Sequence, residues 1–430
     1  MENKYGLIIY KNTNNWGDDI LSYASGRFLP RIDYIIDREA LDTFMPAEKE
    51  KCVVKAIANG WYMYNRSNWP PSPYIKPLFI GIHFVDYKVE QGILGKYLDG
   101  LGREYLLEHA PIGCRDMCTL EALQKRDVPA YFSGCLTLAL PPFEGVEPSH
   151  KVVCVDVNET VVNRARELFG ADNVEVVTHT VSNDERGQEW QIREQYVETL
   201  LKKYQAAKLV ITTRLHCALP CLALGTNVVM LVYRNADRES RIGTYYEYLH
   251  HYTEEDFLQL SAAELTALQN NPALEEQRQA MIRSCQEFVR QENDYSLETL
   301  PDVEEFKKFY VDKVLWQRSL LEDNYGITDL EKHEEIRAKL RATQVKIKEN
   351  KAKYLAQQEK ALVQKDKIIA QKEKENALAQ KEAEQAKKSL KQKKAEIAKL
   401  QAELQNIRQG TSFKLGRLIT WLPRKLLGKK

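Results

Sequence analysis

The chain has 430 residues, 43% of them hydrophobic and 29% charged, with a formal net charge of +1. That apolar share excludes wholesale disorder, and at roughly 100–200 residues per domain the length fits two or three globular units. The near-zero charge excludes the basic excess of a general nucleic-acid binder, and no run approaches the ~18 apolar residues of a membrane-spanning helix.

The opening MENKYGLIIYKN has no basic region followed by a long apolar run and a small-residue cleavage site. A secretory signal is not expected, and a cytoplasmic location is. The eight cysteines lie mostly in apolar runs such as KVVCVDV, which reads as reduced core thiols. Cys114/Cys118 and Cys217/Cys221 share a four-residue spacing. Zinc sites use tighter spacings with partner His or Cys, so no metal is expected.

In chain order, residues 1–140 alternate strands and helices. KYGLIIY is a strand that ends in the turn cluster KNTNNWGDD. ILSYASGRFL follows as a helix, which Asp18 or Asp19 can cap. IDYIID, VVKAIANGW and LFIGIHF are further strands; a helix near Gly95–Glu108, a strand APIGC, a helix Met117–Lys125 and a strand AYFSGCL complete the unit. Such alternation predicts a parallel sheet covered on both faces.

PPFEG at 141–145 reads as a linker. The second unit, 146–326, runs strand KVVCVDV, helix Thr160–Phe169 ended by Gly170, strand VEVVTHTV, helix Glu189–Tyr204 and strand KLVITT. Helix LHCALPCLALG, ended by Gly225, and strand NVVMLVY follow. Helices over 241–320 are expected to pack on both units. This too is doubly wound α/β, with sites expected at the carboxyl ends of the strands.

From about 327 the chemistry changes. No Gly occurs between Gly326 and Gly410, and Leu355, Leu362, Ile369, Asn376, Ala383, Leu390, Ile397 and Leu404 sit seven residues apart. Leu400 and Ile407 supply the second seam position, where Lys365 and Lys372 fall in the middle. The pattern is either a coiled coil over 327–408 with a weak centre, implying a homo-oligomer, or a polar single helix. As one helix, 331–408 spans on the order of 115 Å. Residues 409–430 carry six Lys/Arg and no acid. Leu415, Leu418, Ile419, Leu422 and Leu426 share one helical face, and Pro423 ends or kinks the helix. This segment reads as an amphipathic address for the anionic inner membrane surface or as a protein contact.

Two corners carry chemistry. In ITTRLHCALPCLALG, Arg214 and His216 fall just past an apolar strand, where the next helix begins. Strand ends and helix N-termini bind anions because free amides and the dipole point outward there. In APIGCRD, Arg115 and Asp116 occupy the same kind of corner; alone they are equally a surface ion pair. Together the two arginines, one per unit, can close on one anionic ligand from both sides of a cleft, and Arg suits carboxylate and phosphate because its planar fork donates two parallel hydrogen bonds. At GDD (17–19), Gly17 permits a tight turn and Asp18 and Asp19 can accept from ligand hydroxyls; a helix cap accounts for one of them. His83, in GIHFVD, faces either a cleft or the core. Trp16, Trp61 and Trp69 lie in N-terminal loops and are candidates to stack on ligand rings, and the run with Arg234, Arg238 and Arg241 either touches phosphate or is a solvated loop.

At NNWGDDILSYA, IGCRD, FSGCLTLAL and TTRLHCALPCLALGTNVV the sequence resembles the polysaccharide pyruvyltransferase family, over about residues 5–235. The resemblance implies two Rossmann-like domains facing across a cleft in a GT-B-like arrangement. It implies transfer of the enolpyruvyl unit of phosphoenolpyruvate to two hydroxyls of a sugar, giving a cyclic ketal and phosphate. Arg115, Arg214 and the backbone at Leu215 are then expected to hold phosphoenolpyruvate, and His216 to be the catalytic acid. SGCLTLAL departs from members with an Asp-Pro pair before the leucines, which bears on the acceptor. The expected acceptor is a sugar or lipid-linked oligosaccharide, with no cofactor beyond the co-substrate. The alternatives are a glycosyltransferase of the same architecture using a nucleotide-sugar, and a non-catalytic sugar-binding coiled-coil scaffold.

Overall fold

The computed structural model describes residues 2–47, 52–62, 66–84, 93–182, 189–233, 241–292, 301–325, 385 and 387–410. Contacts divide the chain into 1–329 and 330–430. The first unit holds two parallel sheets. Strands β1 (Lys4–Ile9), β2 (Tyr34–Asp37), β3 (Val54–Trp61), β4 (Ile75–His83), β5 (Ile112–Cys114) and β6 (Ala130–Phe132) lie in the order β2-β1-β3-β4-β5-β6. Strands β7 (Val152–Val155), β8 (Val174–Val177), β9 (Leu209–Thr212), β10 (Val228–Leu231) and β11 (His250–Tyr252) lie in the order β11-β10-β9-β7-β8. Every recorded strand pair is parallel.

The sequences explain this arrangement. VVCV, LVIT and VVML are buried at every residue, as strands covered on both faces require. The edge strands β2 and β8 expose Ile35 and Val176. Helices α1 (Trp16–Gly26), α2 (Ile93–Lys96), α3 (Gly100–Glu108) and α4 (Met117–Gln124) serve the first sheet; the single helix expected near 95–108 is broken in two. Helices α5 (Glu159–Phe169), α6 (Trp190–Ala206), α7 (Leu215–Leu224), α8 (Glu254–Gln259) and α9 (Ala262–Ala267) belong to the second sheet. Gly170 and Gly225 end α5 and α7 at φ +88° and +78°, which a Cβ would disfavour. Strand β11 lies where only helices were expected.

One apolar cluster crosses from sheet to sheet, joining Leu7, Ile20 and Leu21 to Val153, Leu201, Val210 and Leu219. Helices α10 (Glu275–Arg290) and α11 (Val303–Tyr325) were counted with the second domain in the 146–326 reading. They lie against the first. Tyr5 donates its hydroxyl to the Val289 carbonyl of α10 at 2.8 Å. On α11, Phe306, Lys313 and Leu320 recur every seven residues and are buried. Lys313 pairs with Asp42, Gln317 donates to the Trp69 carbonyl at 2.8 Å, and Leu320 joins the core around Trp69 and Phe79.

In the second unit, residues 387–409 are helical and every side chain is exposed. The remaining coiled-coil positions of 327–384 and the amphipathic tail over 411–430 lie outside the described residues, as do Arg234 and Arg238. Among the described residues no helix is long and apolar enough to cross a membrane.

Candidate active site

Each sheet reverses its winding once, between β1 and β3 and between β7 and β9. Ligands of open parallel sheets bind outside the carboxyl ends of strands at such switch points. Here the two switch points open into one cavity of about 750 Å³. The first sheet contributes the loop from Tyr10 to Asn15 after β1, Arg38 after β2, Trp61 at the end of β3 and Arg115 after β5. The second contributes His179 after β8 and Thr213, Arg214, Leu215 and His216 after β9, with Arg241 alongside. Five cationic side chains and two carboxylates, Asp18 and Glu39, line it.

The two sheets are stitched together at this wall. Trp16 N–H donates to the His179 carbonyl at 2.9 Å, and Val181 N–H to the Asn14 carbonyl at 3.0 Å. The helix cap of α1 is Asn15, which accepts from Gly17 N–H at 3.0 Å, and not Asp18 or Asp19. Successive helical residues point about 100° apart, so the neighbouring aspartates part company. Asp18 lines the cavity and accepts from the Thr13 hydroxyl. Asp19 is fully buried against Arg193 of α6 and does not reach the ligand space.

His216 owes its aim to Pro220. A proline inside a helix lacks the N–H for the carbonyl four residues earlier and clashes with it, and that residue is His216. Its backbone accordingly leaves helical geometry, at φ −79° and ψ 16°. The ring packs on Gly17, where a Cβ would lie 3.2 Å from His216 Cβ and 3.3 Å from Nδ1. Gly17 is therefore needed for this close approach and not for a tight turn. Arg115 Nη1 lies 3.3 Å from His216 Nε2. Guanidinium only donates, so Nε2 accepts and the imidazole proton sits on Nδ1. Burial lowers the His216 pKa well below the ordinary value, and the charges of Arg115, His179, Arg241 and Arg214 lower it further. These surroundings keep His216 neutral.

Arg214 is held from the other side. Its Nε donates to Asp156 at 2.7 Å and its Nη2 to the Thr180 hydroxyl at 3.2 Å. Asp156, at the end of β7, adopts φ +50°, a left-handed conformation that aspartate tolerates better than most. Burial raises its pKa, but hydrogen bonds from Thr178 and His179 N–H and the Arg214 charge outweigh burial and hold it below the usual carboxylate range. Arg115 is 4% exposed and its backbone carbonyl accepts from the Tyr245 hydroxyl at 2.6 Å.

Arg115, Arg214, Leu215 and His216, together with Gly17 and Asp18, thus line one cavity, whereas His83 does not. His83 is fully buried, with Nδ1 2.7 Å from Asp116. Trp61 lines the cavity beneath Arg241, whose guanidinium lies 5.7 Å from the ring centre; Trp16 and Trp69 are buried. Arg38 was missed in the sequence. It sits over the Tyr10 ring at 4.2 Å and donates to the Trp61 carbonyl at 2.8 Å. Asp156 and His179 were missed too, although both stand where the switch-point rule directs attention. All eight cysteines are free, six of them buried. Among the described residues no cluster of three or more His, Cys, Asp or Glu is placed to hold a metal.

Comparison with solved structures finds an uncharacterized protein of Klebsiella pneumoniae at 13% identity and TM-score 0.36, covering 58% of this chain and 93% of that one. It also finds the Methanocaldococcus jannaschii UDP-GlcNAc 2-epimerase, in complex with UDP-GlcNAc and UDP, at 10% identity and TM-score 0.31, covering 72% and 99%. No curated protein matches the sequence. The family model of polysaccharide pyruvyl transferases matches residues 15–235, half of the chain and the part that carries Arg115, Arg214 and His216, and the chain belongs to that family.

Proposed function

We propose that the cavity binds phosphoenolpyruvate and transfers its enolpyruvyl unit to two hydroxyls of one sugar, forming a pyruvate ketal and releasing phosphate. The observation that supports this is the meeting of Arg115, Arg214 and His216 in a single cavity at both switch points. The lining cations exceed the carboxylates by three, which suits a ligand bearing one phosphate and one carboxylate.

In the scheme His216 gives a proton to C3 of the enol and C2 becomes electrophilic. A sugar hydroxyl adds to C2 and its proton restores His216. The C2–O bond to phosphate breaks, and the arginines stabilise the departing charge. The second hydroxyl then closes the ketal, and its proton ends on phosphate. The scheme calls for no metal and no cofactor. Trp61 and Asp18, which also line the cavity, would then contact the acceptor, a sugar or a lipid-linked oligosaccharide. The basic tail of 409–430 would hold the enzyme at the inner membrane face, and deletion of 409–430 should then lose binding to anionic vesicles. Self-association is assigned to the apolar stripe Leu390, Ile397, Leu400, Leu404 and Ile407, each at least half exposed on the 387–409 helix.

The test is phosphate release from phosphoenolpyruvate with a panel of aryl and lipid-linked glycosides. His216→Ala should abolish release with folding intact; undiminished turnover removes His216 from the mechanism. A thermal shift with UDP, GDP or CDP but none with phosphoenolpyruvate would point instead to a nucleotide-sugar donor.

A further inference from the structure

A row of polar side chains runs from the core of the first sheet to His216. It begins at His83, at the end of β4, and Asp116, which caps α4 by accepting from Thr119 N–H at 2.9 Å. Both are fully buried. His83 Nδ1 lies 2.7 Å from Asp116 Oδ2, the same oxygen lies 3.8 Å from Arg115 Nε, and Arg115 Nη1 lies 3.3 Å from His216 Nε2. A helix cap alone needs neither the charge of an aspartate nor a buried imidazole, since Asn, Ser or Thr would serve. The pair also carries a cost, because His83 Nε2 is buried without a partner.

We propose that His83 and Asp116 are positioning residues: His83 fixes the Asp116 carboxylate, which aims Arg115 and offsets part of the positive charge that Arg115 presents to His216. Burial lowers the His83 pKa, and Asp116 only partly opposes this. For Asp116, burial is outweighed by His83, Arg115 and the Thr119 amide, so its pKa lies below the usual range. The arrangement is thus a neutral imidazole donating Nδ1–H to an ionised carboxylate. The other groups facing His216 are Arg214 on its own turn, His179 from the end of β8 and Arg241. All of these disfavour the imidazolium, and Asp116 acts against them through Arg115. The proposal rests on the phosphoenolpyruvate reading for its consequence, because only an acid needs its charged form supported.

The experiment uses full-length protein with carbon-13 and nitrogen-15 labels in histidine, and His216→Gln to assign the His216 signals. In the free protein the nitrogen shifts should report the proton on Nδ1. Asp116→Asn keeps the cap and the contact with His83 but removes the charge. With phosphoenolpyruvate bound, it should lower the His216 titration midpoint by about 1.5 pH units, from Coulomb's law over about 8 Å at an effective dielectric constant of about 20. His83→Phe should blur the free-state tautomer signature. His83→Asn, which returns an N–H where Nδ1 stood, should restore it. A tautomer signature and midpoint identical to the native protein in Asp116→Asn and His83→Phe, with only the unfolding temperature lowered, overturns the proposal. A native protein that does not bind phosphoenolpyruvate overturns the functional reading instead, and the free-state tautomer still decides the role of His83 and Asp116.

Discussion

Burial and neighbouring positive charge hold His216 neutral, yet the proposed chemistry asks it for a proton, so on that reading binding of the donor must supply the missing proton affinity. The perturbation is the arrival of phosphoenolpyruvate. One unit charge at about 6 Å with an effective dielectric constant of about 20 is worth about 2.8 kcal/mol, or about two pKa units. Phosphate and carboxylate together, not all of their charge at that distance, should raise the imidazole by about three units or more. They also draw Arg115 toward themselves and free Nε2 to take a proton. The His216 pKa starts well below 6.5, so a rise of that size should appear as net proton uptake by His216 on binding near neutral pH. Titration calorimetry in buffers of differing ionisation heat reads this uptake as the slope of observed heat against buffer heat. A His216→Gln control removes the contribution of the ligand's own phosphate, which has an ordinary second pKa of about 6 and shifts the other way against arginine. Equal slopes for native and control proteins, with binding intact, would show that His216 stays neutral and is not the acid.

Pro220→Ala should stabilise α7 by up to about 3 kcal/mol, the cost of an interior proline, while phosphate release falls as His216 loses its aim; unchanged release refutes the link. Lys313→Met leaves Asp42 buried without its partner and should cost about 3–5 kcal/mol in urea unfolding, whereas a loss under 1 kcal/mol would mean that α11 is not docked. Burial lowers the His179 pKa to about 4, against about 6.5 unfolded, so the unfolded chain takes the proton first as pH falls. Stability should drop by about 2 kcal/mol between pH 7 and 5 from this group, and His179→Gln should flatten that dependence. In the 387–409 helix, Glu396 and Glu403 flank one side of the apolar stripe and Lys394, Gln401 and Arg408 the other. Parallel pairing of two copies sets Glu403 against Arg408, whereas antiparallel pairing sets like charges together. Glu403→Lys should therefore weaken self-association about tenfold by sedimentation, from two exposed pairs turned repulsive; an unchanged or tighter dimer excludes the parallel arrangement.

Much of the fold was legible because both sheets are parallel and buried, so their strands read as short apolar runs ended by turn residues. KYGLIIY, KLVITT and NVVMLVY became β1, β9 and β10 for that reason. Where side chains stand relative to the cavity was most legible at strand ends that lead straight into helices, as at Arg115 and Arg214. Arg38 was hidden because its place depends on β2 lying beside β1, a fact of sheet order that no local pattern carries. His83 read equally as a cleft or a core residue, and the burial that decides it comes from β3, β5 and α4 together. The packing partners of α10 and α11 were open for the same reason. Their apolar spacing shows a buried face but not which core it completes.

The position of the site follows from how the sheets meet. A switch point on one sheet offers amide and side-chain donors from one side only, and a ligand there stays open to water. Here the loop after β1 and the residues after β8 exchange backbone hydrogen bonds. Just behind them, Asp19 and Arg193 form a fully buried pair, Trp16 stacks on Tyr196 at 4.0 Å, and Tyr23 donates to Glu198 at 2.8 Å. Parting the sheets would expose the Asp19–Arg193 pair and open the shared apolar cluster, so Arg115 and Arg214 are held at one cavity by the packing of the protein itself. Electrostatic stabilisation is most effective when the donors need not reorganise as charge develops. The positive charge gathered there is offset by Asp116 behind one arginine and Asp156 behind the other. Each carboxylate lies within 4 Å of its guanidinium, and neither is among the side chains that line the cavity.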